Sequence, residues 1–555
     1  MFTFKRALPE EAGLCSADIE KVLRTLDNKN VPMHSLIIMK NDRIVFEKYY
    51  APYKEDTLHR MFSISKSFSA VAVALLREEG KIDFDDPIIK YFPEYVDEST
   101  HPWIRMMTIR NMLMMRTCHA STTYKVNMKS DWVESFFKVT PTHKPGTVFH
   151  YDTSAAHVLC ALVEKLSGTD MLTYMKGKML CHVDFSENSY MVKDPFGVSM
   201  GGSGLMATPM DVFKFLYILA NNGRITCSDG QIRQLIPEDF VREATSNLSD
   251  NYVTGPLPSE TQGYGMQIWQ NEKGGFVLYG MGGQLAISIP GADLLVMTTA
   301  DTQGMQGGNQ IIYDAIYDNL LGSECAQDLS GDETVSSSEV PSQPSDAYRH
   351  LIEYADTLRI FPPRLPENYA YTGTGATRDI MRISADSAAD RASLERHTTS
   401  EQVISGSTLF TGGTYKLDPN KQGFEALSIE LPKDAYSKVT SEPYKEASSE
   451  AAGGSRHGDS PCRLTFRQNN TLHTIAFKIG AMCEGLFPIY NIPYTAGGMW
   501  SRDNVLYIRA HLIGECVGSV HFELYFEEGE VTVFMRKIEE TCFSEFEGHL
   551  HGLLS

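Results

Sequence analysis

A stretch rich in serine, proline and acidic residues, from Cys325 to Asp346, divides this 555-residue chain into two parts with different hydrophobic patterns. Such a stretch has too little apolar surface to order itself, which is typical of a linker. The sequence therefore predicts one domain over residues 1–325, a linker over 326–345 and a second domain over 346–555.

The part before the linker mixes strand and helix patterns. Two alternating runs flank Asn41-Asp42 and predict a β-hairpin. Apolar residues at helical spacing predict helices over 67–79 and 154–166, and strands followed by a helix close the domain over 285–321. We therefore expect an α+β domain, with an antiparallel sheet flanked by helices and a helical lobe.

The part after the linker begins with one short connecting helix, and beyond it strands with alternating hydrophobicity dominate. These strands predict an all-β domain, either a small barrel or a sandwich. A second stretch of linker-like composition, near 437–460, predicts a flexible insertion within this domain.

Charge and targeting signals restrict the partners. The formal net charge of −20 argues against a nucleic-acid partner. We find no signal-peptide pattern at the N-terminus and no membrane-crossing stretch, so we expect a cytoplasmic protein without membrane insertion. The ten cysteines are scattered without a Cys-x-x-Cys pair, which favours reduced thiols and no structural metal.

The segment Ser63-Ile-Ser-Lys66 stands at the start of an apolar helix. Three residues are nearly one helical turn, so Ser63 and Lys66 share a face beside the amide groups of the helix N-terminus. A lysine packed there loses hydration, which favours its neutral form and lets it accept the serine proton. Taken alone, the segment fits a helix cap and a solvated lysine as well, and Ser135-Phe-Phe-Lys138 has the same spacing.

Three further segments supply partners for this pair. Tyr151 follows a Pro-Gly turn and precedes a helix, where its phenol can relay a proton. Glycines recur in Gly201-Gly-Ser-Gly and in Gly280-Met-Gly-Gly-Gln284, the latter directly before a strand. Because glycine lets the backbone lie close to a neighbouring group, the backbone before this strand can provide an amide N–H for an oxyanion hole together with the amide of Ser63.

In this order and spacing, the four segments resemble the penicillin-recognising serine hydrolases, nearest the class C β-lactamases and their esterase and amidase relatives. The resemblance covers roughly residues 8–322. It implies Ser63 as nucleophile, Lys66 and Tyr151 as acid–base groups, and the amide of Gly283 or Gln284 as oxyanion donor. No cofactor is implied. The second domain resembles the lipocalin-like barrels of some relatives, which suggests contacts in a homo-oligomer or a lid.

Two departures from the family pattern bear on the substrate. Thr153 replaces an asparagine that helps to hold the substrate amide in relatives, and neutral Met281-Gly282 stands where Lys-Thr-Gly or His-x-Gly is usual. A cation there would bind a substrate carboxylate. Because the neutral segment lacks this cation, we expect linear amides, such as aminohexanoate dimers, and esters as substrates rather than β-lactams.

We therefore expect a serine hydrolase that cleaves an amide or ester bond of a small molecule or short peptide. Two alternatives remain open: an acyltransferase that uses the same acyl-enzyme, and a degenerate ligand-binding protein. His59, His143, His150 and His157 lie near the motifs, but no Gly-x-Ser-x-Gly elbow accompanies them, so we expect structural roles.

Overall fold

The computed structural model describes residues 2–321, 344–364, 413–432, 460–502, 504–539 and 542–555. The chain forms two compact units, the first consisting of Met1–Ile360 with Gly514–Gly518 and the second of Phe361–Ile513 with Ser519–Ser555. The predicted linker and the predicted insertion lie almost entirely outside the described residues.

The first unit contains the described α-helices. They are α1 (Ser16–Asn28), α2 (Ile64–Glu78), α3 (Pro102–Met106), α4 (Ile109–Leu113), α5 (Trp132–Lys138), α6 (Thr153–Ser167), α7 (Met171–Lys178), α8 (Pro209–Ala220), α9 (Glu238–Ala244), α10 (Gln310–Leu320) and α11 (Asp346–Thr357). Its strands are β1 (Lys5–Arg6), β2 (Met33–Lys40), β3 (Arg43–Tyr49), β4 (His59–Arg60), β5 (Tyr190–Met191), β6 (Leu205–Ala207), β7 (Arg224–Thr226), β8 (Ile232–Gln234), β9 (Trp269–Gln270), β10 (Phe276–Gly280), β11 (Gln284–Ile289) and β12 (Leu294–Ala300).

A seven-stranded sheet in the order β1-β3-β2-β12-β11-β10-β9 is the framework of the first unit. β1 is parallel to β3, whereas the other neighbouring strands are antiparallel. The β2–β3 hairpin turns through Asn41 and Asp42, both with positive φ, which confirms the predicted turn. The predicted α+β class of this part is confirmed.

Apolar side chains fill both sides of this sheet. One cluster joins the sheet to α2, α6 and α8, and the other joins it to α1, α10 and α11. Every residue of α2 from Ile64 to Leu76 is buried, including the polar residues Ser65, Lys66, Ser67 and Ser69. Helix α2 therefore carries its first turn into the interior of the unit.

The described strands of the second unit form a single sheet. They are β13 (Gly413–Leu417), β14 (Ala426–Glu430), β15 (Cys462–Gln468), β16 (Thr471–Ile479), β17 (Cys483–Phe487), β18 (Ile492–Arg502), β19 (Val505–Leu512), β20 (Gly518–Glu527), β21 (Glu530–Ile538) and β22 (Gly548–Leu554). Parallel pairing of β16 with β18 closes nine of them into a barrel, and β17 pairs with β18 outside this ring. Of the two predicted architectures, the barrel is the one observed.

Two observations concern the expectations about compartment and thiols. Among the described residues, no helix has both the length and the hydropathy that a membrane crossing needs. Eight described cysteines are free, but Cys15 is disulfide-bonded. The prediction of reduced thiols is wrong for Cys15, because the spacing of cysteines along a chain does not reveal which sulfur atoms folding brings together.

Candidate active site

Ser63 lies at a tight turn between β4 and α2. Met61 donates its N–H to the carbonyl of Leu205 at 2.9 Å, and Phe62 has a positive φ of 46°. The Ser65 hydroxyl fixes the turn, since it donates to the Phe62 carbonyl at 2.6 Å and accepts from the Leu205 N–H at 3.0 Å. A bulky residue with positive φ is strained, and the surrounding bonds hold that strain directly before Ser63.

Lys66 extends from the next turn of α2 back to Ser63. Its side chain is buried, and its Nζ donates to Ser63 Oγ at 2.8 Å and to the Gly202 carbonyl at 2.7 Å. A buried amine held by two oxygen atoms is well ordered, so the serine hydroxyl has a basic group at hydrogen-bond distance.

Tyr151 stands beside this pair, directly before α6. Lys66 Nζ lies 4.7 Å from the centroid of its ring. Burial raises the pKa of Tyr151 well above its usual value, although hydrogen bonding with Ser63 and Trp269 opposes the shift. The structure thus brings Ser63, Lys66 and Tyr151 together, with the phenol in its neutral, proton-donating form.

The second Ser-x-x-Lys segment is organised differently. Ser135 donates to the carbonyl of Trp132 at 2.7 Å, whereas Lys138 forms an exposed ion pair with Asp97 at 2.8 Å. Equal spacing therefore does not bring Ser135 and Lys138 together.

The segment at Gly201 and Gly202 packs tightly against α6. A Cβ atom on Gly201 would lie 2.2 Å from Cys160 Cβ, and one on Gly202 would lie 2.4 Å from Thr153 Cγ2. Only glycine allows this approach, which places the Gly202 carbonyl against Lys66. Thr153 is therefore a packing partner of the segment that orients the lysine.

The third motif forms the turn between β10 and β11. Gly280 pairs with Gln284, and Gly282 and Gly283 have positive φ values of 80° and 95°. A Cβ atom on Gly280 would lie 2.6 Å from the carbonyl oxygen of Met61, so this end of β10 abuts the segment that leads to Ser63.

The side chain of Gln284 stabilises this turn internally. Its Nε2 donates to the carbonyls of Met281 at 2.7 Å and Ala300 at 3.1 Å, and its Oε1 accepts from the Ala300 N–H at 3.0 Å. These bonds use the amide side chain fully, which leaves only the backbone of Gln284 available for an oxyanion.

Comparison with known proteins identifies the family of the chain. The model of the beta-lactamase family matches residues 19–318. The chain belongs to the beta-lactamase family. Within that family it is 21% identical over 286 residues to 6-aminohexanoate-dimer hydrolase of Paenarthrobacter ureafaciens, an alignment that spans 47% of this chain and 71% of the relative.

Other matches are partial or distant. Protein flp of Staphylococcus aureus is 25% identical over 199 residues, and the alignment spans 32% of this chain but only 40% of protein flp. Among solved structures, the octameric penicillin-binding protein homologue from Pyrococcus abyssi has a TM-score of 0.42 at 15% identity, covering 96% of this chain and 99% of that one. The D-amino acid amidase from Ochrobactrum anthropi SV3 has a TM-score of 0.42 at 16% identity, covering 53% of this chain and 98% of its own.

Asp152, between Tyr151 and Thr153, caps α6 from the interior. Its carboxylate accepts from the Ser154 N–H at 2.9 Å and from the Thr117 hydroxyl at 3.2 Å. Burial raises the pKa of Asp152 to about 6 despite these bonds. A titrating carboxyl therefore adjoins Tyr151 in the chain, which the sequence analysis did not single out.

The histidines near the motifs make structural contacts. His59 is buried between His34 Nδ1 at 2.8 Å and the Arg60 carbonyl at 3.0 Å, and burial lowers its pKa to about 4. His157 contacts Asp194 at 3.1 Å. His143 and His150 face each other with ring centroids 5.0 Å apart.

Two residues that contact the candidate site were missed in the sequence. Trp269 lies 5.2 Å from Tyr151 between ring centroids, and Gln267 accepts through its carbonyl from the Ser67 hydroxyl at 2.7 Å. No local motif marks either residue. Trp269 lies on the edge strand β9 and Gln267 lies just before it, so both are distant from Ser63 in the sequence.

Proposed function

We propose that this chain is a serine hydrolase that cleaves an amide or ester bond of a small molecule or short peptide through an acyl-enzyme on Ser63. The observation that carries the proposal is the contact between Lys66 Nζ and Ser63 Oγ, with Tyr151 beside them. Ligand binding by itself requires neither a basic amine on a serine nor a neighbouring phenol.

The reaction would begin when Ser63 Oγ attacks the substrate carbonyl and transfers its proton to Lys66. The carbonyl oxygen becomes an oxyanion, which the backbone N–H of Ser63 and that of Gly283 or Gln284 would stabilise. Tyr151 donates a proton to the leaving amine or alcohol and recovers one from Lys66. The bond to the leaving group then breaks, and the acyl group stays on Ser63.

Water completes the cycle in the proposed hydrolysis. The same groups remove a proton from water, whose oxygen attacks the acyl-enzyme, and return a proton to Ser63 Oγ as the acid leaves. No cofactor enters either step. An amine or alcohol in place of water gives acyl transfer, so the two reactions differ only in the second nucleophile.

The neutral third motif bears on the substrate. Met281 and Gly282 offer no positive charge to a carboxylate, whereas a lysine or histidine there would pair with one. We therefore propose linear amides or esters, rather than β-lactams, as the substrates.

The test compares Ser63→Ala with Ser135→Ala, the matched change in the other Ser-x-x-Lys segment. We expect an acylating active-site probe to label the wild-type chain and Ser135→Ala, while Ser63→Ala stays unlabelled with an unchanged circular dichroism spectrum. Labelling of Ser63→Ala at the wild-type rate would refute the assignment.

Turnover of nitrophenyl acetate separates the alternatives. A hydrolase releases nitrophenol continuously, whereas a degenerate binding protein would bind or acylate once without turnover. An acyltransferase would form the acyl product of an added amine or alcohol in preference to the free acid.

A further inference from the structure

The N–H groups of Ser63 and Gly283 are open backbone donors at the candidate site. In the part of the chain that the structure describes, neither forms a hydrogen bond, although Gly283 is buried. Buried backbone N–H groups are almost always hydrogen-bonded, so an open pair at a candidate site is suited to the oxygen atom of a substrate. The Gly283 N–H can serve an oxyanion only if the turn that carries it is held in one orientation.

Two carbonyl groups of this turn are hydrogen-bonded to the segment at the end of β12. The Gly282 carbonyl accepts from the Thr302 N–H at 3.0 Å, and the Gly283 carbonyl accepts from the Thr298 hydroxyl at 2.8 Å. In a trans peptide the carbonyl and the following N–H point in opposite directions. The bond from Thr302 to the Gly282 carbonyl therefore directs the Gly283 N–H away from Thr302.

Asn309 connects the turn with Thr302. Its Nδ2 donates to the Gly280 carbonyl at 3.0 Å, and its Oδ1 accepts from the Thr302 hydroxyl at 2.8 Å. Asn309 is buried directly before α10, but its side chain forms no capping bond with that helix. One side chain thus holds both the end of β10 and the residue whose N–H orients the Gly283 amide.

The turn needs such bonds because of its composition. Gly282 and Gly283 have positive φ values and no side chains that could pack in a fixed position. Glycine adopts a wider range of backbone angles than other residues, so the peptide planes of this turn are easily rotated. Hydrogen bonds to the carbonyl groups are therefore what sets the direction of its N–H groups.

We propose that Asn309 is a positioning residue of the oxyanion hole, which orients the Gly283 N–H towards the substrate carbonyl oxygen through Gly280 and Thr302. The inference rests on the proposed function, because an oxyanion forms only if Ser63 attacks an acyl group. Asn309 touches no reacting atom, so its effect lies in stabilisation of the transition state.

The experiment measures the contribution of the oxyanion hole with an ester and its thiono analogue, in which sulfur replaces the carbonyl oxygen. Sulfur is a weak hydrogen-bond acceptor, so correctly placed N–H groups favour the oxygen ester. The ratio of the two kcat/KM values is independent of how much enzyme is folded, since one preparation hydrolyses both. We expect the wild-type ratio to exceed that of hydroxide-catalysed hydrolysis of the same esters by about tenfold or more.

Asn309→Leu removes both hydrogen bonds of the side chain at similar volume. We expect it to lower the ratio of oxygen ester to thiono ester about tenfold. Thr302→Val removes only the hydroxyl that binds Asn309 and should lower the ratio in the same direction. Thr302→Ser keeps this hydroxyl, so its ratio should equal that of the wild-type chain.

Asn271→Leu is the matched control at the opposite end of the same hairpin. Asn271 is buried as well, and its Nδ2 donates to the carbonyls of Phe276 at 3.1 Å and Ser288 at 2.8 Å. Its Oδ1 also accepts from the N–H groups of Lys273 and Gly275. The control therefore loses more hydrogen bonds than Asn309→Leu does, yet its ratio should equal that of the wild-type chain.

The outcomes separate the two proposals. A wild-type ratio in Asn309→Leu, or an equal fall in Asn271→Leu, refutes the positioning role while acylation of Ser63 stands. If Asn309→Leu does not fold, equal ratios in Thr302→Val and Thr302→Ser refute it. If neither ester acylates Ser63 in the wild-type chain, the proposed function itself fails.

Discussion

The interiors of the two units differ in chemistry. The first unit buries ionisable side chains at less than 2% exposure, among them Lys66, Asp152 and His157. In the second unit the inward positions of β20 and β21 are apolar, as Phe522, Leu524 and Val533 illustrate. Burying a charge or an unpaired polar group costs stability, so the first unit retains groups that do not help it to fold.

The interiors of the two units place different requirements on their side chains. Along β20 and β21 of the barrel, alternating apolar side chains fill the interior and their burial stabilises the ring, although β19 also buries His511. In the first unit, α2 carries Ser65, Lys66 and Ser67 into the core, where each polar atom needs a partner from another element. Gly202, Gln267 and Leu205 supply such partners.

The largest expected effect on stability lies in the barrel. Phe522 is fully buried and packs against Phe466 and Phe546, with ring centroids 5.8 and 6.0 Å away. Phe522→Ala should cost about 3–5 kcal/mol in unfolding free energy of the second unit, because it leaves a cavity. Hydrogen exchange of the β20 and β21 amides measures this unit separately.

Phe534→Ala is the matched control. Phe534 lies outward on β21, half-buried against His549, so we expect a loss below about 1 kcal/mol. Equal losses at both positions would show that the barrel interior does not stabilise this unit.

The same contrast explains what could be predicted from the sequence. The β20 and β21 strands follow from alternation, and helical spacing places Ser63 and Lys66 on one face. The same spacing does not bring Ser135 and Lys138 together, so the contact itself could not be predicted. Closure of the barrel by β16 and β18 could not be predicted, because parallel pairing of these strands leaves no local pattern. The roles of the Gly202 carbonyl and of Trp269 could not be predicted either, because both come from segments distant in sequence. Packing brings the Gly202 carbonyl to Lys66 and Trp269 to Tyr151.

The next prediction tests the partner of Lys66 in the first unit. In Gly202→Ala the new Cβ would lie 2.4 Å from Thr153 Cγ2 and 2.9 Å from the Thr153 carbonyl oxygen, so the backbone must shift. The carbonyl that holds Lys66 would move with it. We expect acylation of Ser63 to slow by about tenfold or more, since small displacements of a base reduce the rate strongly.

Gly291→Ala provides the comparison, because a Cβ atom there meets no atom within 4 Å. Rates of labelling by an acylating probe measure both variants. Wild-type labelling of Gly202→Ala would mean that Lys66 keeps its position without this carbonyl.

The smallest expected effect concerns the titration of Asp152. Its pKa is raised to about 6 in the folded chain, whereas an unfolded aspartate titrates near pH 4. The stability from this group is therefore complete below about pH 4 and is lost as the pH rises through about 6. Asp152→Asn cannot ionise and still caps α6, so it should gain about 2 kcal/mol over the wild-type chain between about pH 4 and about pH 7.5.

Asp170→Asn is a control of opposite sign. Asp170 caps α7 through the Thr173 N–H at 3.0 Å; burial raises its pKa, but hydrogen bonds from Thr173 outweigh burial and lower the pKa overall. Its folded-state stability is present above about pH 4 and is lost as the pH falls, so Asp170→Asn loses relative stability as the pH rises. Urea unfolding followed by helical ellipticity reports the first unit, which contains the described helices. If the stability changes of the two variants had the same pH dependence, burial would not be what decides the ionisation of Asp152. Burying polar groups in the first unit would then cost less stability than we infer.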